Sequence, residues 1–341
     1  MPCGIKLEPA KELSLKQPIA TLPAPKTLPV PKMFAPLRRK KAGTAAILNA
    51  ARTAGIVDEL DGKPLEEKLM WFAAAETRVL IAVCFDEDPM TSAEQAVLRE
   101  SASRIAAGLE LAVRACGASV GKIAAANQKE VQRVQKDCSG TMFLTAGGRY
   151  PALVLLRRAL SETGRKAGFL GGQACLALSD AADRGLAQSE TVVTVAGDGA
   201  RRWKNCRARL GTPIGEVLSA GEPLPETALA VVGASVNGRS VTDLSGPVTA
   251  TTRCVLAMKR PPRRTVLPCI GCGRCQRACP RGILPWMILQ QMESGSPDPF
   301  RLFNVERCVR CEACSVVCPS QINLAAAVAR AEKFKEGKCN P

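Results

Sequence analysis

The last quarter of the chain contains the same cysteine spacing twice. The first copy is Cys269, Cys272, Cys275 and Cys279, followed by Pro280, and the second is Cys308, Cys311, Cys314 and Cys318, followed by Pro319. Three cysteines separated by two residues each can place three thiolates on one tight loop, and the fourth, before a proline, reaches a different site. This spacing is typical of chains that bind [4Fe–4S] clusters.

The spacing also predicts that the two runs exchange their fourth ligands, as in bacterial two-cluster ferredoxins. One cluster would be held by Cys269, Cys272, Cys275 and Cys318, and the other by Cys308, Cys311, Cys314 and Cys279. Zinc sites ordinarily lack the fourth cysteine followed by proline. Disulfide frameworks are typical of small secreted chains, not of 341 residues without a signal peptide. We therefore expect two [4Fe–4S] clusters that carry electrons.

The composition narrows what else the chain can do. It contains no histidine, which excludes Ser-His-Asp and Cys-His catalysis, so any catalysis would depend on a bound cofactor. No run of about 18 apolar residues is present, so no transmembrane segment is predicted. Without an export signal we expect a cytoplasmic protein, and its sixteen cysteines suit a reducing compartment.

The charge of the chain predicts the kind of partner. The formal net charge is +16, and two oxidised clusters with their thiolates would reduce it to about +12. We expect an acidic redox protein of the ferredoxin or flavodoxin type, although a general excess of charge for solubility also explains a basic chain. Nucleic-acid binding is not expected, because there is one tyrosine and no stacking pattern. Five arginines beside the cysteines would raise the cluster potentials and steer the acidic partner: Arg274, Arg277, Arg281, Arg307 and Arg310.

Sequence patterns divide the chain into four regions. Residues 1–43 form an extended arm rich in proline and lysine, which ends in a basic run from Arg38 to Lys41 that could contact anionic lipid. Residues 44–190 follow an α/β pattern that favours a parallel sheet. Residues 191–258 contain short strands and turns, and residues 259–341 form a mostly helical cluster domain.

Individual elements are predicted from periodicity and from start and stop signals. Helices are expected over 45–56, from a Thr91–Glu94 capping box to Cys116, and over 152–163, 173–184, 284–292 and 322–335. Strands are expected over 79–84, 120–126, 192–196, 229–232, 240–244 and 254–258. Gly171 and Gly172 indicate a tight turn into a helix, with a ligand loop as the alternative. Five other cysteines are interpreted as buried small residues: Cys84, Cys116, Cys175, Cys206 and Cys254.

The cysteine runs and the residues between them resemble RnfC, the C subunit of the Rnf electron-transport complex. That family has a CIxCGxCxxxCPxGLLP run and then a DCIxCGACxxxCPSxI run, and this chain has CIGCGRCQRACPRGILP over 269–285 and RCVRCEACSVVCPSQI over 307–322. The stretches TVVTVAGD at 191–198 and LGTPI at 210–214 are similar to the β-grasp (SLBB) module of RnfC. The resemblance implies a multidomain α/β fold. Its parts would be a Rossmann-like core like the flavoprotein subunit of complex I, an SLBB-like β-grasp module and an α-helical ferredoxin domain with two [4Fe–4S] clusters.

The α/β region departs from the family where a nucleotide would bind. The family has a glycine-rich loop, roughly GGAGFPT, whose backbone N–H groups close on phosphate. This chain has Asp58, Glu59 and Asp61 there and retains one glycine, Gly62. Because carboxylates repel phosphate, neither FMN nor NADH is expected to bind, and we interpret residues 44–190 as a degenerate dinucleotide-binding scaffold.

These observations favour an iron–sulfur electron-transfer subunit. It would relay electrons between a redox protein and a membrane complex or reductase, with peripheral association at the cytoplasmic face of the cell membrane. Whether the chain is itself an enzyme stays open. One alternative is a flavo-iron–sulfur reductase that oxidises NADH through FMN, as in the microcompartment cobalamin-reductase and proline-reductase-associated proteins. Another is a structural paralogue that docks through its positive face.

Overall fold

A computed structural model describes residues 5–6, 17–25, 28, 31, 33–37, 42–138, 140–261, 265–295, 297–298, 302 and 304–337. The described residues form two compact units. The larger unit is drawn from 9–147 and 157–260, and the smaller from 1–8, 148–156 and 261–341. Most of the predicted arm over 1–43, including the basic run from Arg38 to Lys41, lies outside the described residues.

Within the described residues, strands and helices are interspersed as far as Lys259, and the elements after it are helices. The strands are β1 Ala20–Thr21, β2 Val79–Cys84, β3 Val120–Ala125, β4 Met142–Thr145, β5 Ala167–Gly171, β6 Glu190–Ala196, β7 Lys204–Arg209, β8 Thr227–Val232, β9 Arg239–Val241 and β10 Cys254–Lys259. The helices are α1 Thr44–Thr53, α2 Leu65–Ala74, α3 Ala93–Cys116, α4 Gln128–Val134, α5 Ala152–Glu162, α6 Gly172–Arg184, α7 Ile214–Ser219, α8 Arg274–Ala278, α9 Pro285–Glu293, α10 Ala313–Val316 and α11 Leu324–Lys335.

The larger unit contains a four-stranded sheet with the order β4-β3-β2-β5, in which all neighbours are parallel. Every residue of β2 is buried, which explains its unbroken apolar run, because a parallel sheet is covered on both faces. The parallel α/β arrangement predicted from the sequence is therefore confirmed.

Helices α3 and α6 approach each other closely within this unit. A Cβ atom added to Gly108 of α3 would lie 1.8 Å from the carbonyl oxygen of Cys175 in α6. Only glycine allows this distance between the two helices. The contact holds the amino end of α6 in a fixed position over the core.

The second sheet of the larger unit is mixed, with the order β1-β7-β6-β10-β8-β9. β6 pairs antiparallel with β7 and parallel with β10, and β10 pairs antiparallel with β8. Its core includes Val193, Val195 and Val255 from the sheet, together with Ile214 and Val217 from α7.

The smaller unit is built from helices, as the sequence predicted for the cysteine region. A separate apolar core holds them together, with members Ile283, Ile288, Met292, Leu302, Val305, Val328 and Ala331. Helix α9 begins with Pro285, a position where proline fits because its missing N–H has no helical partner.

The predicted start of α3 is wrong for a physical reason. The capping box expected from Thr91 and Glu94 does not form, and α3 begins at Ala93. The carboxylate of Asp86 accepts the N–H groups of Glu94 and Gln95 instead, at 3.4 and 3.1 Å. The Glu94 side chain therefore does not cap the helix, and it lies in the interior, 1% exposed.

The structure also contains elements that periodicity did not reveal, namely α2, α4, β4, β5 and β7. Among the described residues, no helix is both long enough and apolar enough to cross a membrane.

Candidate iron–sulfur centres

The first group of thiols lies around one small cavity of the smaller unit. Residues that line this cavity include Cys269, Cys272 and Cys275 of the first run, and Cys318 of the second run. The indole of Trp286 in α9 also lines it. These four cysteines are the ones that the spacing assigned to one cluster.

The thiols of the second group lie close enough to raise one another's pKa. The pKa of Cys314 is raised to about 12, first by burial and then by the neighbouring thiols of Cys311, Cys279 and Cys308. Burial also raises the pKa of Cys308, and Cys279 adds to that rise. Cys279 of the first run therefore lies among the thiols of the second run, as the other predicted group requires.

The backbone of the two runs repeats as closely as their spacing. Left-handed φ angles occur two, four and thirteen residues after the first cysteine of each run. In the first run these positions are the glycines Gly271, Gly273 and Gly282. In the second run they are Arg310, Glu312 and Gln321. An L-residue in this conformation costs about 1–2 kcal/mol. The second run has an L-residue in this conformation at three positions. Because the same backbone shape is kept despite the strain, we interpret that shape as a requirement of the site.

Contacts from outside the second run hold its loop. The hydroxyl of Tyr150, the one tyrosine of the chain, donates to the carbonyl oxygen of Cys311 at 2.7 Å. Within the loop, the backbone N–H of Arg310 donates to Sγ of Cys308 at 3.4 Å. The sequence did not predict this role for Tyr150.

The donor set of each group, four thiols, suits a [4Fe–4S] cluster. A [4Fe–4S] cluster takes one thiolate on each of four irons, so its ligands surround a space instead of converging on a point. Nε of Arg281, two residues after Cys279, is buried without a hydrogen-bond acceptor. Such a donor suits a site where cluster sulfides supply the missing acceptor.

The five arginines beside the cysteines are not equivalent. Arg310 forms a salt bridge with Glu332 of α11 at 2.9 Å, and Arg277 donates to the carbonyl oxygen of Cys272 at 3.1 Å. Arg274, Arg277, Arg307 and Arg310 are all exposed. Arg274 and Arg307 are better placed for an incoming partner than Arg310, because Glu332 offsets the charge of Arg310.

The remaining described cysteines are buried, as predicted for Cys84, Cys116, Cys175, Cys206 and Cys254. Burial raises the pKa of the Cys206 thiol to about 11, so it stays protonated and unreactive. Cys138 is likewise buried, whereas Cys3 and Cys339 lie outside the described residues.

The acidic loop that replaces the glycine-rich loop lies against the start of α6. Asp58 is fully buried and Glu59 is 3% exposed. The Glu59 carboxylate accepts the N–H groups of Gln173 and Ala174 at 2.7 and 3.0 Å. Gly171 and Gly172 lead directly from β5 into α6, in agreement with the predicted entry into a helix. A backbone that could receive a phosphate is therefore already bonded to a side chain of the same chain.

Two groups of four cysteines in a helical unit define a class, the iron–sulfur proteins with a dicluster domain. Residues 268–322 match the family described as the 4Fe-4S dicluster domain.

Most of the chain is similar to one kind of protein. It is 28% identical over 266 residues to the C subunit of the ion-translocating oxidoreductase complex of Pseudomonas aeruginosa, an alignment that covers 71% of this chain and 34% of that protein. It is 24% identical over 269 residues to the C subunit of the proton-translocating ferredoxin:NAD(+) oxidoreductase complex of Clostridium ljungdahlii, covering 73% and 59%. The chain thus spans about a third of the Pseudomonas protein. These similarities confirm the predicted resemblance to RnfC.

The fold has a counterpart among solved structures. A chain of the NAD+-reducing [NiFe]-hydrogenase in the air-oxidized state aligns with a TM-score of 0.57 and 16% identity, over 86% of this chain and 62% of that chain. At this identity the likeness concerns the fold alone, and it agrees with the predicted mixed α/β architecture.

Proposed function

We propose that this chain relays electrons through two [4Fe–4S] clusters, between an acidic redox protein and other subunits of an Rnf-like or related reductase complex. The observation that carries the proposal is the crossed grouping of the thiols, with Cys318 beside the first run and Cys279 beside the second. When bound, each cluster would accept and donate single electrons. The protein's part is to hold two such sites within one small helical unit.

Each proposed ligand set has its own support. Cys269, Cys272, Cys275 and Cys318 surround a cavity that the apolar ring of Trp286 also lines. Of the set Cys308, Cys311, Cys314 and Cys279, the two residues Cys279 and Cys308 pack against the apolar core that contains Ile288 and Val328. Tyr150 fixes the carbonyl group of Cys311 and thereby the loop between two ligands.

The proposed partner is a small acidic redox protein of the ferredoxin or flavodoxin type. Support comes from the net charge of +16 and from the exposed Arg274 and Arg307 on the cysteine loops. The related proteins are named for complexes that translocate ions or protons. These names support the prediction of a peripheral subunit at the cytoplasmic face of a membrane.

The rest of the chain is proposed to be a scaffold without its own flavin. FMN and NADH are not expected, because the residues at the amino end of α6 do not fit a phosphate, as the Glu59 contacts indicate. We also retain the predicted regions 44–190 and 191–258, the second as an SLBB-like β-grasp module. Its mixed sheet with α7 packed on it supports that interpretation.

Paired substitutions test the crossed ligand sets. If Cys269 and Cys318 serve one cluster, Cys269→Ala with Cys318→Ala removes that cluster only, and the reconstituted protein retains about four irons. Cys308→Ala with Cys318→Ala damages both clusters and leaves far fewer. Iron and sulfide analysis after anaerobic reconstitution, with EPR of the reduced protein, distinguishes the pairs.

The control is Cys116→Ser, because that buried thiol donates to the carbonyl of Val113 and a hydroxyl can replace it. It should retain about eight irons. A reversed order of the two double variants would mean that each run binds its own cluster. A flavin spectrum in the purified protein would favour the reductase alternative.

A further inference from the structure

The amino end of α6 is an anion-binding position that is already filled. Helix starts present N–H groups without helical partners, together with the positive end of the helix dipole. Here the N–H groups of Gln173 and Ala174 both donate to Glu59, one to each carboxylate oxygen, at 2.7 and 3.0 Å. The helix receives no capping side chain from its own N-cap residue, Gly171.

Close packing shows how tightly the carboxylate fits. A Cβ atom added to Gly171 would lie 2.0 Å from Cδ of Glu59. Glycine at 171 therefore makes room for a group that approaches the backbone, as glycine does beside bound phosphates. The group that uses this room is a side chain from the loop after α1.

Asp58 secures the loop that carries Glu59. Its carboxylate accepts the N–H of Gly171 at 3.1 Å and the ammonium group of Lys68 at 2.6 Å. Lys68 also lies 3.0 Å from Asp61. The loop is thus anchored both to the strand end before α6 and to helix α2.

The surrounding charges are mostly negative. Burial raises the pKa of Glu59 well above its ordinary value, with Glu94 and Asp58 adding to the rise, while the N–H of Gln173 opposes it. Each Glu59 oxygen accepts a backbone N–H at the positive end of the helix dipole, which favours the charged carboxylate and opposes that rise. A second anion such as phosphate would meet these carboxylates and find its N–H donors occupied.

We propose that Glu59 is a built-in anion that takes the place of a ligand phosphate at the start of α6, so that the α/β unit is complete without a nucleotide or flavin. This gives a physical reason for the scaffold role in the proposed function, on which it rests. The iron content of the same preparations measures cluster binding, which is the other part of the proposed function, independently of Glu59.

The test compares Glu59→Ala with the wild-type chain by thermal unfolding in chloride and in inorganic phosphate at equal ionic strength. In chloride the variant should melt at a lower temperature, because two N–H groups lose their acceptor. Phosphate should raise its melting temperature in proportion to the logarithm of concentration. The wild-type chain should show no shift specific to phosphate, and equilibrium dialysis with FMN should find no bound flavin.

Two further variants make every outcome informative. Glu67→Ala removes an exposed carboxylate from the first turn of α2 and should behave like the wild type. Glu59→Gln retains the volume but loses the charge, so it should be destabilised and should not respond to phosphate. Wild-type stability in Glu59→Gln, a phosphate response in the wild type, or stoichiometric FMN binding would each overturn the proposal. If Glu59→Ala does not fold in either salt, the Gln variant decides.

Discussion

Glu94 lies in an environment that disfavours its charged form. It is 1% exposed, and its Oε2 atom has no hydrogen-bond partner. Oε1 accepts the side-chain amide of Gln173 at 2.9 Å. Burial raises the pKa of Glu94 to about 7 even though Arg253 opposes the rise, and Asp86 and Asp58 add to it.

This shift predicts a pH dependence of stability. Because the folded pKa lies above the ordinary value of 4.5, the folded chain binds the proton more tightly. Stability from Glu94 is therefore complete below about pH 4.5 and is lost as the pH rises through about 7, with a limit on the order of 3 kcal/mol. Glu94→Gln should flatten the dependence between about pH 4.5 and 7, measured as unfolding temperature against pH. Equal slopes for both proteins would show that Glu94 does not titrate in this range.

At the scale of elements, the contact between α3 and α6 decides where the N–H groups of α6 point. Gly108 brings the two backbones together at Cys175. In an isolated helix, Gly→Ala stabilises by about 1 kcal/mol. Here the added methyl group has no space, so the cost of the clash opposes the gain in helix propensity and exceeds it.

Gly108→Ala should therefore destabilise the larger unit by about 1–3 kcal/mol, as overpacking does. Urea unfolding followed by far-UV circular dichroism measures the change. Ala107→Val adds a larger side chain to the neighbouring, half-exposed position of α3 and should cost less than about 1 kcal/mol. A Gly108→Ala variant more stable than the wild type would mean that the helices are free to separate.

At the scale of the whole molecule, charge is the property most relevant to function. An excess of 16 positive charges creates a field that attracts acidic proteins and weakens with salt. The arginines on the cysteine loops would concentrate that attraction near the electron entry point. Arg310 contributes less than the sequence indicated, because Glu332 neutralises it.

Replacing Arg274 and Arg307 by glutamine should slow reduction of the clusters by a reduced acidic ferredoxin by roughly tenfold at low salt. The difference from the wild type should vanish at high ionic strength, where exposed charges are screened. Stopped-flow absorbance of the clusters records both rates. Arg201→Gln with Arg239→Gln changes the net charge equally at exposed positions of the other unit, and should have a smaller effect. Equal effects from both pairs would favour the general solubility excess.

The sequence by itself determined the features that depend on neighbouring residues. The spacing of the cysteines fixes which thiols share a loop, since two intervening residues leave little freedom, and it predicts that Cys279 and Cys318 cross between the runs. The apolar run of β2 was also evident, because a strand buried on both faces is apolar throughout. The long pattern of α3 was evident because a helix buried on one side has apolar residues at regular intervals. The strand at Val79–Cys84 agrees with its predicted range residue for residue.

Only the tertiary structure decided where the buried polar groups find their partners. β5 was missed because its glycines resemble a turn, and it becomes a strand by pairing with β2. Thr91 and Glu94 matched a capping box in sequence, yet Asp86 binds the helix start. Glu59 and the N–H groups of α6 are more than a hundred residues apart, so no local pattern could join them. The partner of a buried charged group is set by which distant residues the fold brings beside it. The sequence could predict only that carboxylates in this loop would repel a phosphate.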